Sequence, residues 1–134
     1  MSGEEPQWIE TSDALALHDR LLALHGGAEG LRDEGLLDSA LARARQIFAY
    51  GEGADFILMA SAMTSGVVKN HPFLDGNKRT GFVIGILFLE LNGFSFSASE
   101  TDAAEAVMAL AAGALDEAGY AAFLRANVSR EDRS

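Results

Sequence analysis

The run Lys69-Asn70-His71-Pro72-Phe73-Leu74-Asp75-Gly76-Asn77-Lys78-Arg79-Thr80 gathers a histidine, a carboxylate, a glycine turn and three cations within twelve residues. Those cations are three of the ten basic side chains and include both lysines of the chain, yet the whole molecule carries a formal charge of −10. Positive charge concentrated locally on an acidic protein points to an anion site.

The local order of residues supports that reading. Asp75-Gly76-Asn77 reads as a turn leading into a helix whose first residues include Lys78, Arg79 and Thr80. The free N–H groups of a helix start, together with its dipole, form an anion-binding corner. Gly76 lets the backbone turn tightly and approach a ligand. Asn77 can cap the helix or reach the ligand, and Arg79 offers a planar fork suited to phosphate. A carboxylate among phosphate ligands would repel them, so Asp75 makes best sense holding Mg²⁺ between itself and phosphate oxygens. His71 lies just before the loop, pinned in an extended conformation by Pro72, with Phe73 anchored in the core. A histidine beside phosphate and metal is suited to act as general base for a hydroxyl, an effect of about 10²–10⁴-fold. Other phosphate and metal signatures are missing: there is no G-x-x-x-x-G-K-[ST] loop, no third glycine after Gly51-Glu52-Gly53, and no His-Glu-x-x-His spacing.

Six helices are needed to position this segment. The first opens at Thr11-Ser12-Asp13, carries Leu17, Leu21 and Leu24 on one stripe and stops at Gly26-Gly27, with His18 and His25, which lack ligand spacing, as surface or core residues. The second begins near Asp33 with Leu37, Leu41 and Ala44 inward and Arg43 and Arg45 in its last turn, followed by a flap or turn over residues 46–53. The third runs from Asp55 to about Lys69 on a stripe of Phe56, Met59, Ala60 and Met63. The fourth opens at Asn77, ends before Gly93 and, apolar on nearly every side, should be the central buried helix. Ser99 starts the fifth, to about Ala112. The sixth, Asp116 to Asn127, turns Tyr120, Phe123 and Leu124 inward, and the tail from Ser129 frays. Convincing strand alternation is absent. The fold class is all-α.

Composition bounds the rest. A chain of 134 residues, 49% apolar, suits one domain over residues 1–134 with flexible ends. It has no cysteine, which removes disulfides, thiolate zinc sites and cysteine nucleophiles and fits a reducing compartment. The N-terminus is acidic where a signal peptide would be basic, and the apolar run from Gly81 to Leu89 is shorter than the ~20 residues of a membrane span. A cytoplasmic protein without membrane contact is expected. A sequence pI near 4.6 disfavours general nucleic-acid binding.

His71-Pro72-Phe73-Leu74-Asp75-Gly76-Asn77-Lys78-Arg79 resembles the signature of the Fic/Doc family: His, any residue, Phe, any residue, an Asp, Asn or Glu, Gly-Asn, Gly or Lys, and Arg. Lys78, where adenylyl-transferring members have Gly, is similar to the death-on-curing (Doc) toxin branch. The upstream stretches Gly30 to Leu37 and Ala42 to Gln46 look like that branch too.

This resemblance implies an all-helical bundle and nucleotide-dependent modification of a protein hydroxyl. Similar toxins use ATP to phosphorylate elongation factor Tu until a partner antitoxin neutralises them. By position, His71 would be the base, Asp75 the Mg²⁺ ligand, and Gly76, Asn77, Lys78 and Arg79 the phosphate-binding residues. The stretch from Ile47 to Tyr50 would be the edge against which the target lies. Lysine in place of glycine fills space where adenylyl transferases seat the α- and β-phosphates; the resemblance then implies a reversed nucleotide with its γ-phosphate towards His71. Many Fic proteins carry an inhibitory helix with Ser or Thr four residues before Glu-Gly or Glu-Asn. The Glu-Gly pairs here, at 29–30, 34–35 and 52–53, are preceded at that distance by His25, Gly30 and Phe48. Control by a separate antitoxin is therefore expected. Two other readings of the same residues stand beside this one: AMP transfer, and a non-catalytic module whose loop recognises an anion or docks an antitoxin.

Overall fold

Side-chain caps decide where most of the helices begin. The computed structural model describes residues 5–51 and 55–131. Asp33, Asp55, Ser99 and Asp116 each accept a hydrogen bond from a main-chain N–H two or three residues on, and each immediately precedes a helix. The resulting elements are α1 (Thr11–His25), α2 (Glu34–Tyr50), α3 (Phe56–Asn70), α4 (Asn77–Leu91), β1 (Phe94–Phe96), α5 (Glu100–Ala112), α6 (Glu117–Asn127) and β2 (Val128–Arg130). The fold is an all-α bundle with a two-stranded ribbon attached.

Helix α3 fills the middle. Every residue from Met59 to Val68 is buried, because Ala60, Ser61, Ala62, Ser65 and Gly66 are small enough for neighbours to close in all round. The sequence puts α4 at the centre; the structure puts α3 there with it, and α3 is the more enclosed. Helix α4 buries one face through Thr80, Gly81, Ile84, Gly85, Phe88 and Leu89, while Phe82, Ile86 and Leu87 stay half-buried. The two helices meet at glycines. A Cβ on Gly85 would overlap the Thr64 Oγ1 and lie 3.2 Å from the Ala60 carbonyl oxygen. The Thr64 hydroxyl uses this closeness to donate to the Gly81 carbonyl at 2.7 Å.

Several expectations need correction. Residues 46–50 form no flap: α2 continues through Ile47, Phe48 and Tyr50 and ends at Gly51, whose N–H returns to the Ile47 carbonyl at 2.8 Å. Burial overrides the β-prone composition, since Ile47 and Phe48 pack on the core and Phe48 meets Trp8 edge to face. Glu52 and Gly53 of that expected flap lie outside the described residues. Arg43 and Arg45 consequently sit in mid-helix, where Arg43 pairs with Glu117 and Arg45 with Glu10.

On α1 the inward face is Ala14, His18 and Leu22, while Leu24 of the expected stripe is exposed. The chain does not fray at Ser129 either. Residues Val128, Ser129 and Arg130 pair antiparallel with Phe96, Ser95 and Phe94, and the Arg130 guanidinium lies 4.9 Å over the Phe94 ring. Among the described residues, no helix is long and apolar enough to cross a membrane.

Candidate functional site

The motif loop, residues 71–76, joins the two central helices, so both of its ends are fixed by the core. At the first end α3 runs one residue beyond Lys69, and His71 caps it in the left-handed region at φ 55°, ψ 60°, its N–H on the Val67 carbonyl at 3.2 Å. His71 is not extended, as Pro72 alone would dictate: the helix ending wins over the dipeptide preference. It is the single non-glycine residue with positive φ among those described. Its ring is exposed.

Phe73 is the anchor expected of it, 1% exposed. The imidazole of His18 lies flat against its ring, and the Asn77 side chain brackets its backbone. Asn77 Oδ1 accepts from the Phe73 N–H and Asn77 Nδ2 donates to the Phe73 carbonyl, both at 3.0 Å. The buried amide of Asn77 is thus committed to shaping the loop, and Gly76 rather than Asn77 is the helix cap. Gly76 holds φ 81°, a conformation that a side chain would strain.

Asp75 is exposed, with its carboxylate accepting from the Ala28 N–H at 3.1 Å and the Gly76 N–H at 2.8 Å. The Ala28 bond first, then that of Gly76, hold its carboxyl below the usual range against an opposing loss of hydration, and His18 and Arg79 add smaller attractions. The group is therefore ionised at neutral pH. Each carboxylate oxygen accepts one of these bonds and retains further lone-pair capacity for a cation.

Beyond the loop, α4 begins with Asn77, Lys78 and Arg79. The first N–H groups of a helix have no partner within it, so this end presents donors and a partial positive charge. Lys78 and Arg79 are exposed in that first turn, where cations oppose the dipole and gain nothing from the helix itself. The structure brings the sequence-identified residues together: His71 and every residue from Leu74 to Arg79 line one open cavity of about 290 Å³. A larger cavity, about 450 Å³, shares Lys78 and Arg79 but is otherwise walled mainly by apolar side chains such as Phe82, Ile86 and Phe96. The acid–base groups face the smaller one.

Sequence reasoning overlooks what α1 and the α1–α2 connection contribute. The Nε2 of buried His18 donates to the Asp75 carbonyl at 2.7 Å. Gly30 accepts the Leu74 N–H, Leu31 forms an antiparallel bridge with Phe73, and the N–H groups of Arg32 and Asp33 both reach the Pro72 carbonyl. Gly27 can come this close because it has no Cβ; one would sit 2.9 Å from Asp75 Oδ2. The glycines at 26, 27 and 30 were the available signal, since such a cluster marks a close backbone approach.

Among the described residues no group of three or more His, Asp or Glu side chains could hold a metal ion. One ionised carboxylate beside phosphate donors still fits Mg²⁺, which commonly takes one or two carboxylates and completes its shell with substrate phosphates and water.

The site is thus a histidine, a carboxylate and a cationic helix start gathered around one cavity of an all-helical bundle. Residues 8–89 match the model of the Fic/DOC family. The chain belongs to the Fic/DOC family, on its Doc branch. It is 32% identical over 85 residues to the protein kinase doc of Escherichia phage P1, covering 63% of this chain and 68% of that protein. It is 41% identical over 86 residues to the toxin Doc of Mycolicibacterium smegmatis, covering 62% of this chain and 65% of that one. The alignments thus span about two thirds of each relative.

Proposed function

We propose that this protein is the toxin of a toxin–antitoxin pair and transfers the γ-phosphate of ATP to a Ser or Thr hydroxyl of a target protein, with elongation factor Tu as the target and a cognate antitoxin as the restraint. One observation carries the reading: His71, Asp75 and the cationic start of α4 line the same 290 Å³ cavity. The names of the relatives, a protein kinase and a toxin, agree with it.

In this mechanism the triphosphate rests on the N–H groups at the start of α4, with Lys78 and Arg79 supplying full charge. Asp75 would hold Mg²⁺ against the phosphate oxygens, which neutralises charge on the transferring group. His71 takes the proton of the target hydroxyl as its oxygen bonds to the γ-phosphorus. The bond from that phosphorus to the β–γ bridging oxygen breaks, and ADP leaves. The Asn77 side-chain amide and the buried Phe73 ring keep the loop in shape, which leaves the Asn77 main chain at the helix start to face the phosphates.

The test is expression in a bacterial host without an antitoxin. Wild-type protein should arrest growth, and His71→Ala should be harmless while remaining soluble and folded. Transfer by the variant should fall by about 10²–10⁴-fold, the share of a general base. A His71→Ala protein as toxic as the wild type would overturn the catalytic reading in favour of a binding module.

A further inference from the structure

Arg32 uses its charge in an unusual way for so acidic a chain. Arg43, Arg45 and Arg125 each pair with a carboxylate. The Arg32 guanidinium instead donates from Nε to the His71 carbonyl and from Nη2 to the Asn70 carbonyl, each at 2.6 Å. Those are the carbonyls at the end of α3, where the helix dipole is negative and a cation is favoured. A planar fork is the side chain that can serve two neighbouring oxygens together.

The place it grips is the strained one. His71 combines a left-handed backbone with a following proline, and L side chains seldom adopt that region. A residue before proline prefers extended geometry. Relaxation to that geometry would redirect the carbonyls of residues 70 and 71 and swing the imidazole with them. No hydrogen bond holds the exposed His71 ring among the described residues, so what the fold fixes is the backbone, and with it the direction in which the side chain leaves the chain.

We propose that Arg32 is a positioning residue for His71: its two hydrogen bonds lock the end of α3 and so aim the imidazole into the cavity. Arg32 does not touch the substrate. Its own N–H and that of Asp33, both on the Pro72 carbonyl, belong to the main chain and persist when the side chain is removed. The side chain is exposed, so its loss leaves no buried hole.

The effect on rate rests on the transferase reading above; the effect on backbone does not. NMR of labelled wild-type protein without nucleotide should show at His71 the strong intraresidue HN–Hα contact that positive φ produces. Arg32→Ala should weaken it and lower kcat by about 10²-fold, the size expected for a misplacement of ~1 Å, with KM for ATP changed little. Arg32→Lys, with charge but no fork, should fall between the two. Arg32→Gln replaces the Ala variant if that one does not fold. Retention of the positive-φ signature in the variant, or its loss with kcat unchanged, overturns the proposal. A wild-type protein that transfers nothing refutes the transferase reading, while the NMR comparison still decides whether Arg32 holds His71.

Discussion

The imidazole of His18 stacks on the ring of Phe73, 3.8 Å between centroids and 8° from parallel, while its Nε2 donates to the Asp75 carbonyl at 2.7 Å. A side chain on the first helix thereby fixes the anchor of the motif loop and the backbone of its carboxylate together. His18→Ala should cost about 1–3 kcal/mol from the lost stack and hydrogen bond. A thermal melt should show a drop of several degrees, and transfer should weaken further than the melt alone explains, because the loop loses its shape. A variant with unaltered activity would show that the loop is held without His18.

Asp75 links the site to pH. Its carboxyl titrates below its ordinary value of 3.8, so folding favours the ionised form. The stability this contributes is present above the unfolded value and is lost as pH falls through the lower folded value. Asp75→Asn should therefore melt lower than wild type at pH 7, with the gap closing below about pH 4. Melts at pH 7 and pH 3 decide it, and a gap independent of pH would assign the loss to geometry instead of charge.

The close meeting of α3 and α4 depends on Gly85. Gly85→Ala must displace the Thr64 hydroxyl from the Gly81 carbonyl or push the helices apart, because the new Cβ also faces the Ala60 carbonyl at 3.2 Å. Overpacking of this kind costs about 1–3 kcal/mol. Denaturant unfolding should report that loss, and an unchanged midpoint would contradict the observed packing.

Tyr120 is expected to behave in the opposite way. Among the described residues its hydroxyl is buried without a hydrogen-bond partner, and burial pushes the phenol far above its usual pKa. Thr64 lies close enough to reduce that rise slightly, while its own proton goes to the Gly81 carbonyl. Tyr120→Phe should leave stability unchanged or raise it, by about 1 kcal/mol at most, since no bond is lost. A clear destabilisation in the melt would reveal a partner for this hydroxyl.

The helices were legible in the sequence because local chemistry marks their starts. Asp33, Asp55, Ser99 and Asp116 all cap where helix starts are expected, and Gly93 lies just past the end of α4 as expected. The continuation of α2 was missed: Leu37, Leu41, Ala44 and Phe48 keep the helical period, but the β-prone residues around Phe48 obscured it. The ribbon was not legible either, because its strands are three residues each and pair positions 94 and 130, too short for alternation to register and too far apart to connect by eye. The residues around the cavity could be listed from one continuous motif, since the loop and helix start that carry them are contiguous. What holds them could not. His18 lies 57 residues from Asp75 and Arg32 lies 39 from His71, and such contacts exist only once α1 and the α1–α2 connection fold back on the loop.

Which phosphate is transferred decides the central claim. Purified protein with Mg²⁺, incubated with a bacterial lysate and ATP labelled at either the α- or the γ-position, gives the answer in one comparison. Label should reach a protein of the size of elongation factor Tu from the γ-position alone and disappear with His71→Ala. Label arriving from the α-position would mean AMP transfer and would contradict the account.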